Sequence, residues 1–132
     1  MGIKVTWDDP EQHTIRYIFA GEWNWGEVFS AINISDSWLN EREQKTPFII
    51  DLRKSDDKVA EKSLGNVRRL VEKAHPHTGL IVIVGFSQSP VIQLTKSILA
   101  MLERISTAKR TFYFADTLDD ARSIISKKID FA

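Results

Sequence analysis

The sequence predicts an α/β domain: a mixed sheet of about five strands with about four helices, in the order ββαβαβαβα. Three observations carry this. Two alternating runs at the amino terminus read as an antiparallel hairpin. Two short segments, Phe48-Ile49-Ile50-Asp51-Leu52 and Leu80-Ile81-Val82-Ile83-Val84, are almost wholly apolar, as strands are when helices cover both faces of a parallel sheet. Stretches of helical period follow each later strand. At 132 residues the chain is expected to form one domain.

In the first run Ile3, Val5 and Trp7 share one face, with Lys4 and Thr6 on the other. Asp8-Asp9-Pro10-Glu11 is a turn, because proline fixes φ and aspartate side chains bond nearby backbone. The second run spans His13 to Trp23, with Ile15, Tyr17 and Phe19 on one side and Gly21 marking a bulge or the strand's end. Asn24 caps a helix from about Trp25 to Glu43, and Glu27 completes a variant capping box. Val28, Ala31, Ile32, Ser35 and Leu39 form its core stripe, widened by Phe29, Ile34 and Trp38. Strand 48–52 follows Thr46-Pro47. Leu64, Val67, Leu70, Val71 and Ala74 then predict a second amphipathic helix, roughly Val59 to Ala74, stopped by His75-Pro76. After strand 80–84, Ser89-Pro90 starts a third helix reaching about Thr107. Thr111-Phe112-Tyr113-Phe114 is the last strand. Asp116 caps the last helix, whose first-turn acids and terminal Lys127 and Lys128 suit the helix dipole.

Composition narrows the function classes. The 18 basic and 18 acidic residues balance, so the net basic field of a nucleic-acid binder is absent. The chain has no cysteine, which excludes disulfides, thiolate nucleophiles and thiolate metal sites. The longest apolar run is about five residues, where a membrane helix needs about 20. The amino terminus has no basic segment followed by an apolar one, so no signal peptide is evident. The expectation is a soluble cytoplasmic protein with no membrane insertion and no nucleic-acid partner.

Position directs attention to Arg53-Lys54-Ser55-Asp56-Asp57-Lys58, at the carboxyl end of an apolar strand, where open α/β folds place working residues. Ser55 and Ser63 are candidate phosphorylation sites among Arg53, Lys54, Lys58 and Lys62, or else ordinary polar surface serines. Gly85-Phe86-Ser87-Gln88-Ser89-Pro90 offers backbone donors at a helix start but lacks both glycine-rich nucleotide motifs; its plain reading is a capped loop. His75 and His77 fall short of the three or four ligands a zinc site needs, and read as solvated loop histidines. His13 reads the same way. Asp51 reads as an acid bonded to loop backbone or to an arginine, and no Ser-His-Asp set has supporting context. Trp23 and Trp25 are candidate interface or cleft aromatics, and core packing is the competing use. These residues predict no catalytic site, no metal and no cofactor.

The leading hairpin, the Gly21-Glu22-Trp23-Asn24-Trp25 connection, the strands 48–52 and 80–84 and the helix opening at Asp116-Thr117-Leu118-Asp119-Asp120-Ala121 together resemble the STAS and SpoIIAA-like family, the fold of anti-sigma factor antagonists. More particularly, the chain resembles stand-alone bacterial members without an assigned activity. The resemblance implies a non-enzymatic regulatory module that docks on a protein, such as a kinase-like anti-sigma factor, and is controlled by serine phosphorylation within Asp-Ser-Ser-Gly. Here Asp56-Asp57-Lys58-Val59-Ala60 stands in that region, so the motif is not intact; Ser63 with Gly65 enters only after a shift. The implied docking surface comprises Arg53, Lys54, Asp56, Asp57, Lys62, Arg68 and Arg69, with Phe86 and Ser87 alongside, the charges giving complementarity. A homodimer is an allowed assembly. The alternative is an apolar, lipid-like ligand carrier, after the Sec14-type relatives of such folds.

Overall fold

Alternation in the hairpin and apolarity on both faces of the later strands fix how the sheet is covered. The computed structural model describes residues 2–55, 69, 75–85 and 112–129. Five strands, β1 (Ile3–Trp7), β2 (Ile15–Gly21), β3 (Thr46–Ser55), β4 (Thr78–Val84) and β5 (Phe112–Ala115), form one mixed sheet in sequence order. β1 pairs antiparallel with β2, and each later neighbour is parallel. The described helices are α1 (Trp25–Leu39) and α2 (Leu118–Ile129).

Register assigns the two faces. Val5 lies opposite Tyr17, and Tyr17 lies beside Ile50. Under α1 the buried core is Ile15, Tyr17, Phe19 and Phe48 with Val28, Ala31 and Leu39 of the helix. On the other face Ile49, Val82, Val84 and Ala115 meet Ala121 and Ile125 of α2. β3 thus gives Phe48 to one core and its neighbour Ile49 to the other, which is why its sequence cannot alternate in polarity. Within the first core the Tyr17 hydroxyl and Ser35 Oγ lie 2.5 Å apart, and Ser35 also donates to the Ile32 carbonyl at 3.1 Å.

Several boundaries differ from expectation. α1 ends at Leu39, not near Glu43: Asn40 is its C-cap, and the bonds from Glu41 N to Trp38 O and from Arg42 N to Leu39 O tighten the last turn. Asn24 caps α1 by accepting from Glu27 N at 2.9 Å, but the Glu27 carboxylate accepts from Gly2 N instead of closing the box. β3 begins at Thr46 and absorbs Pro47 at a register shift between Thr46 and Phe48, where the missing proline N–H is tolerated. It also runs on to Ser55, so Arg53, Lys54 and Ser55 are strand residues, not loop. The cap of α2 is Thr117, whose Oγ1 accepts from Asp120 N at 3.0 Å, not Asp116. About four helices were expected, and two are described. Those expected over 59–74 and after Ser89 lie outside the described residues, except for Arg69, which is helical. No helix among the described residues is long and apolar enough to cross a membrane.

Candidate functional site

The carboxyl end of β3 is assembled from three segments. Ala20 and Gly21 of β2 lie beside Lys54 and Ser55. Gly21, at φ 61°, turns the chain out of the sheet toward Trp23. The Trp23 indole N–H donates to Ser55 Oγ at 2.7 Å. The same ring packs edge-on against Phe19 and Trp25, with centroids 4.9 and 5.3 Å away. From the other side Gly85, at φ 105°, brings its backbone so close that an added Cβ would lie 3.0 Å from Arg53 N. The Trp25 indole N–H is buried without an acceptor among the described residues.

Arg53, though exposed, is tied back to its own strand. Its Nε and Nη2 each donate to one oxygen of Asp51 at 2.9 Å, a bidentate pair. Burial alone would raise the Asp51 carboxyl, but the Arg53 bonds and charge, with Arg16 beyond, outweigh it and hold it below the ordinary carboxylate range. A depressed folded pKa contributes stability above the unfolded value, and that contribution is lost as pH falls through the folded one. Arg53→Gln should therefore cost about 1–3 kcal/mol at neutral pH by stranding a buried carboxylate. It should also flatten the loss of stability below about pH 4. Urea unfolding at neutral and acid pH measures both; an unchanged acid limb would refute the assignment.

The expected site residues divide clearly. Lys54 is exposed, Ser55 is half-buried against Trp23, and Trp23 and Trp25 are half-buried in the aromatic cluster. Arg69 is exposed, its guanidinium 5.9 Å from the Phe29 ring of α1. Asp56, Asp57, Lys62, Ser63, Arg68, Phe86 and Ser87 lie outside the described residues. His75 and His77 are not simply solvated. His75 Nδ1 accepts from His77 N, which leaves Nε2 to donate to Asn40 Oδ1 at 2.7 Å, and His77 Nδ1 donates to the Leu39 carbonyl. Both close the carboxyl end of α1. His13 has neighbours too: Asp9, Glu11 and His13 bring ligand atoms within 4.8 Å of one another on the hairpin turn. Asp9 already accepts from His13 N and Thr14 N.

Two features escaped the sequence. The Asp8 side chain, 4% exposed, takes a bidentate bond from Arg122 of α2 at 2.9 and 3.0 Å and an ion pair from Arg16 at 3.3 Å. With Asp51 and Arg53 these residues make a row of alternating charge on the face away from α1. At the other end of the hairpin, Trp7 stacks on Trp38 with centroids 5.1 Å apart, and the Arg42 guanidinium lies 4.3 Å over Trp7. An open cleft of about 400 Å³ lies there, lined by Trp7, Gln12, Trp38, Glu41 and Arg42. Trp23 and Trp25 are at the opposite end of β2. Neither feature has a local motif, because each joins residues distant in sequence. Compared with protein-family models, curated proteins and solved structures, the chain has no match.

Proposed function

We propose that the protein is a non-enzymatic interaction module of the STAS or SpoIIAA-like kind, docking on a protein partner through the carboxyl end of β3. The observation that carries this reading is the bond from Trp23 to Ser55, which joins the tryptophan connection and the strand end into one surface. Lys54, the preceding residue of β3, is exposed; its side chain points to the other face of the strand and borders the same strand end. Interface cores favour aromatic anchors bordered by charge, and this surface has that composition. Arg53, itself exposed, orients the strand end through Asp51 and contributes a paired rather than a free charge. Phosphorylation of Ser55 would set close to two negative charges against the Trp23 N–H, altering the surface at its joint.

Quantitative pull-down from the protein's own source lysate tests this, with Lys54→Glu compared against Lys127→Glu, a matched charge reversal on α2. Wild type and Lys127→Glu should retain the same partner, and Lys54→Glu should lose about ten-fold in recovery. Equal recovery by both variants, or a small molecule carried through native mass spectrometry in place of a protein, would reject the docking surface.

A further inference from the structure

β1 forms one edge of the sheet, and its free side has a defined hydrogen-bond phase. Ala20 N donates to Gly2 O at 2.7 Å, and Asp8 N donates to Thr14 O at 2.8 Å. With the register of the hairpin, these bonds make Gly2, Lys4, Thr6 and Asp8 the residues that bond β2. Ile3, Val5 and Trp7 therefore direct their amide and carbonyl groups outward. Apart from a 3.4 Å contact from Thr6 Oγ1 to the Trp7 carbonyl, the described residues supply these edge groups no partner. Natural edges are commonly blunted by proline, a bulge or charge. β1 carries no proline and no register shift, and its single charge, Lys4, belongs to the phase already bonded to β2.

The flank of α1 above this edge is apolar at its centre. Ile34 is 49% exposed, the exposed large hydrophobic residue of the described chain. It shares a helical stripe with Glu27, which bonds Gly2 N, and with Trp38, which stacks on Trp7, so the stripe overhangs β1. Its height is fixed as well. Ser35 bonds Tyr17, and Tyr17 lies opposite Val5, so Ile34 sits level with Val5 at the middle of the strand.

We infer that β1 pairs antiparallel with β1 of a second copy about a two-fold axis through Val5. Val5 then exchanges both backbone bonds with its own counterpart, and Ile3 does so with Trp7 of the second copy. Lys4 faces Thr6 of the second copy, so no like charges meet directly. The axis is perpendicular to the sheet and keeps α1 of both copies on the same side. α1 lies between β1 and β2, contacting Trp7 of one and Tyr17 of the other. A strand spacing of about 4.8 Å then brings the two α1 axes to about 10 Å, a helix-packing distance, with Ile34 against its counterpart. A second copy fits better than an unrelated strand because edge phase, charge pattern and the Ile34 patch share one symmetry point.

Analytical ultracentrifugation of the full chain, from micromolar to submillimolar concentration, tests the assembly. The wild type should dimerise, and Ile34→Glu, a change at an exposed position that leaves the monomer folded, should weaken the dimer about ten-fold or more by setting two carboxylates face to face. In this cysteine-free chain Val5→Cys should form an intermolecular disulfide, since bonded antiparallel pairs hold Cα atoms about 5.5 Å apart. Ser123→Cys, on exposed α2, should not. A wild type that stays monomeric throughout, or a dimer that Ile34→Glu leaves intact, overturns the inference.

Discussion

Asp8→Ala should lower the unfolding free energy by about 2–3 kcal/mol, below the 3–5 kcal/mol of a fully buried ion pair because Arg122 is 45% exposed. The carboxylate itself is 4% exposed and holds two arginines. Its loss leaves Arg16 half-buried, with a buried Nε that has no partner among the described residues even when Asp8 is present. Arg122→Ala alone should cost about 1 kcal/mol, since Arg16 still faces Asp8 and the lost cation was partly solvated. Urea titration of both single variants and the double variant measures the coupling. Costs that simply add would mean that the bidentate geometry contributes nothing to stability.

Ser35→Ala should cost about 1–3 kcal/mol, because it takes the acceptor from a buried phenol. Ser35 donates its own proton to the Ile32 carbonyl, so the Tyr17 hydroxyl is the donor in the pair. Adding Tyr17→Phe to Ser35→Ala should restore part of the loss, for an apolar pair leaves no unsatisfied group. Failure of the double variant to recover would sink this account. Burial also raises the Tyr17 pKa above its usual range, and the nearby Asp36 charge adds to it. The stability from keeping this phenol neutral is complete below the unfolded pKa of about 10 and is lost as pH rises beyond it. Tyr17→Phe should therefore unfold less readily in alkali than the parent.

Local period made most of the fold readable. Alternation at Ile3, Val5 and Trp7 gave the hairpin, and unbroken apolarity at 48–52 and 80–84 gave parallel strands covered on both sides. Boundaries were less legible where tertiary partners decide them. α1 ends at Leu39, whose carbonyl accepts from His77, a residue 38 positions away. Arg53-Lys54-Ser55 looks like loop by composition, yet the ladder with Ala20 and Gly21 extends β3 through it. The candidate site was readable by position and by its tryptophans. That Ser55 meets Trp23 and that Arg53 turns back to Asp51 are facts of packing across strands, which no spacing encodes.

The Asp8–Arg122 bond spans 114 residues, nearly the whole chain. During synthesis the hairpin leaves the ribosome long before α2 exists, so its aspartate first meets Arg16 without Arg122. Closing so long a loop comes late, after the nearer strand pairs have formed. The contact should thus be absent from the rate-limiting ensemble of refolding. Weakening it should quicken unfolding while leaving the refolding rate nearly unchanged, making this ionic clasp a latch on the lifetime of the folded chain rather than a guide to its formation.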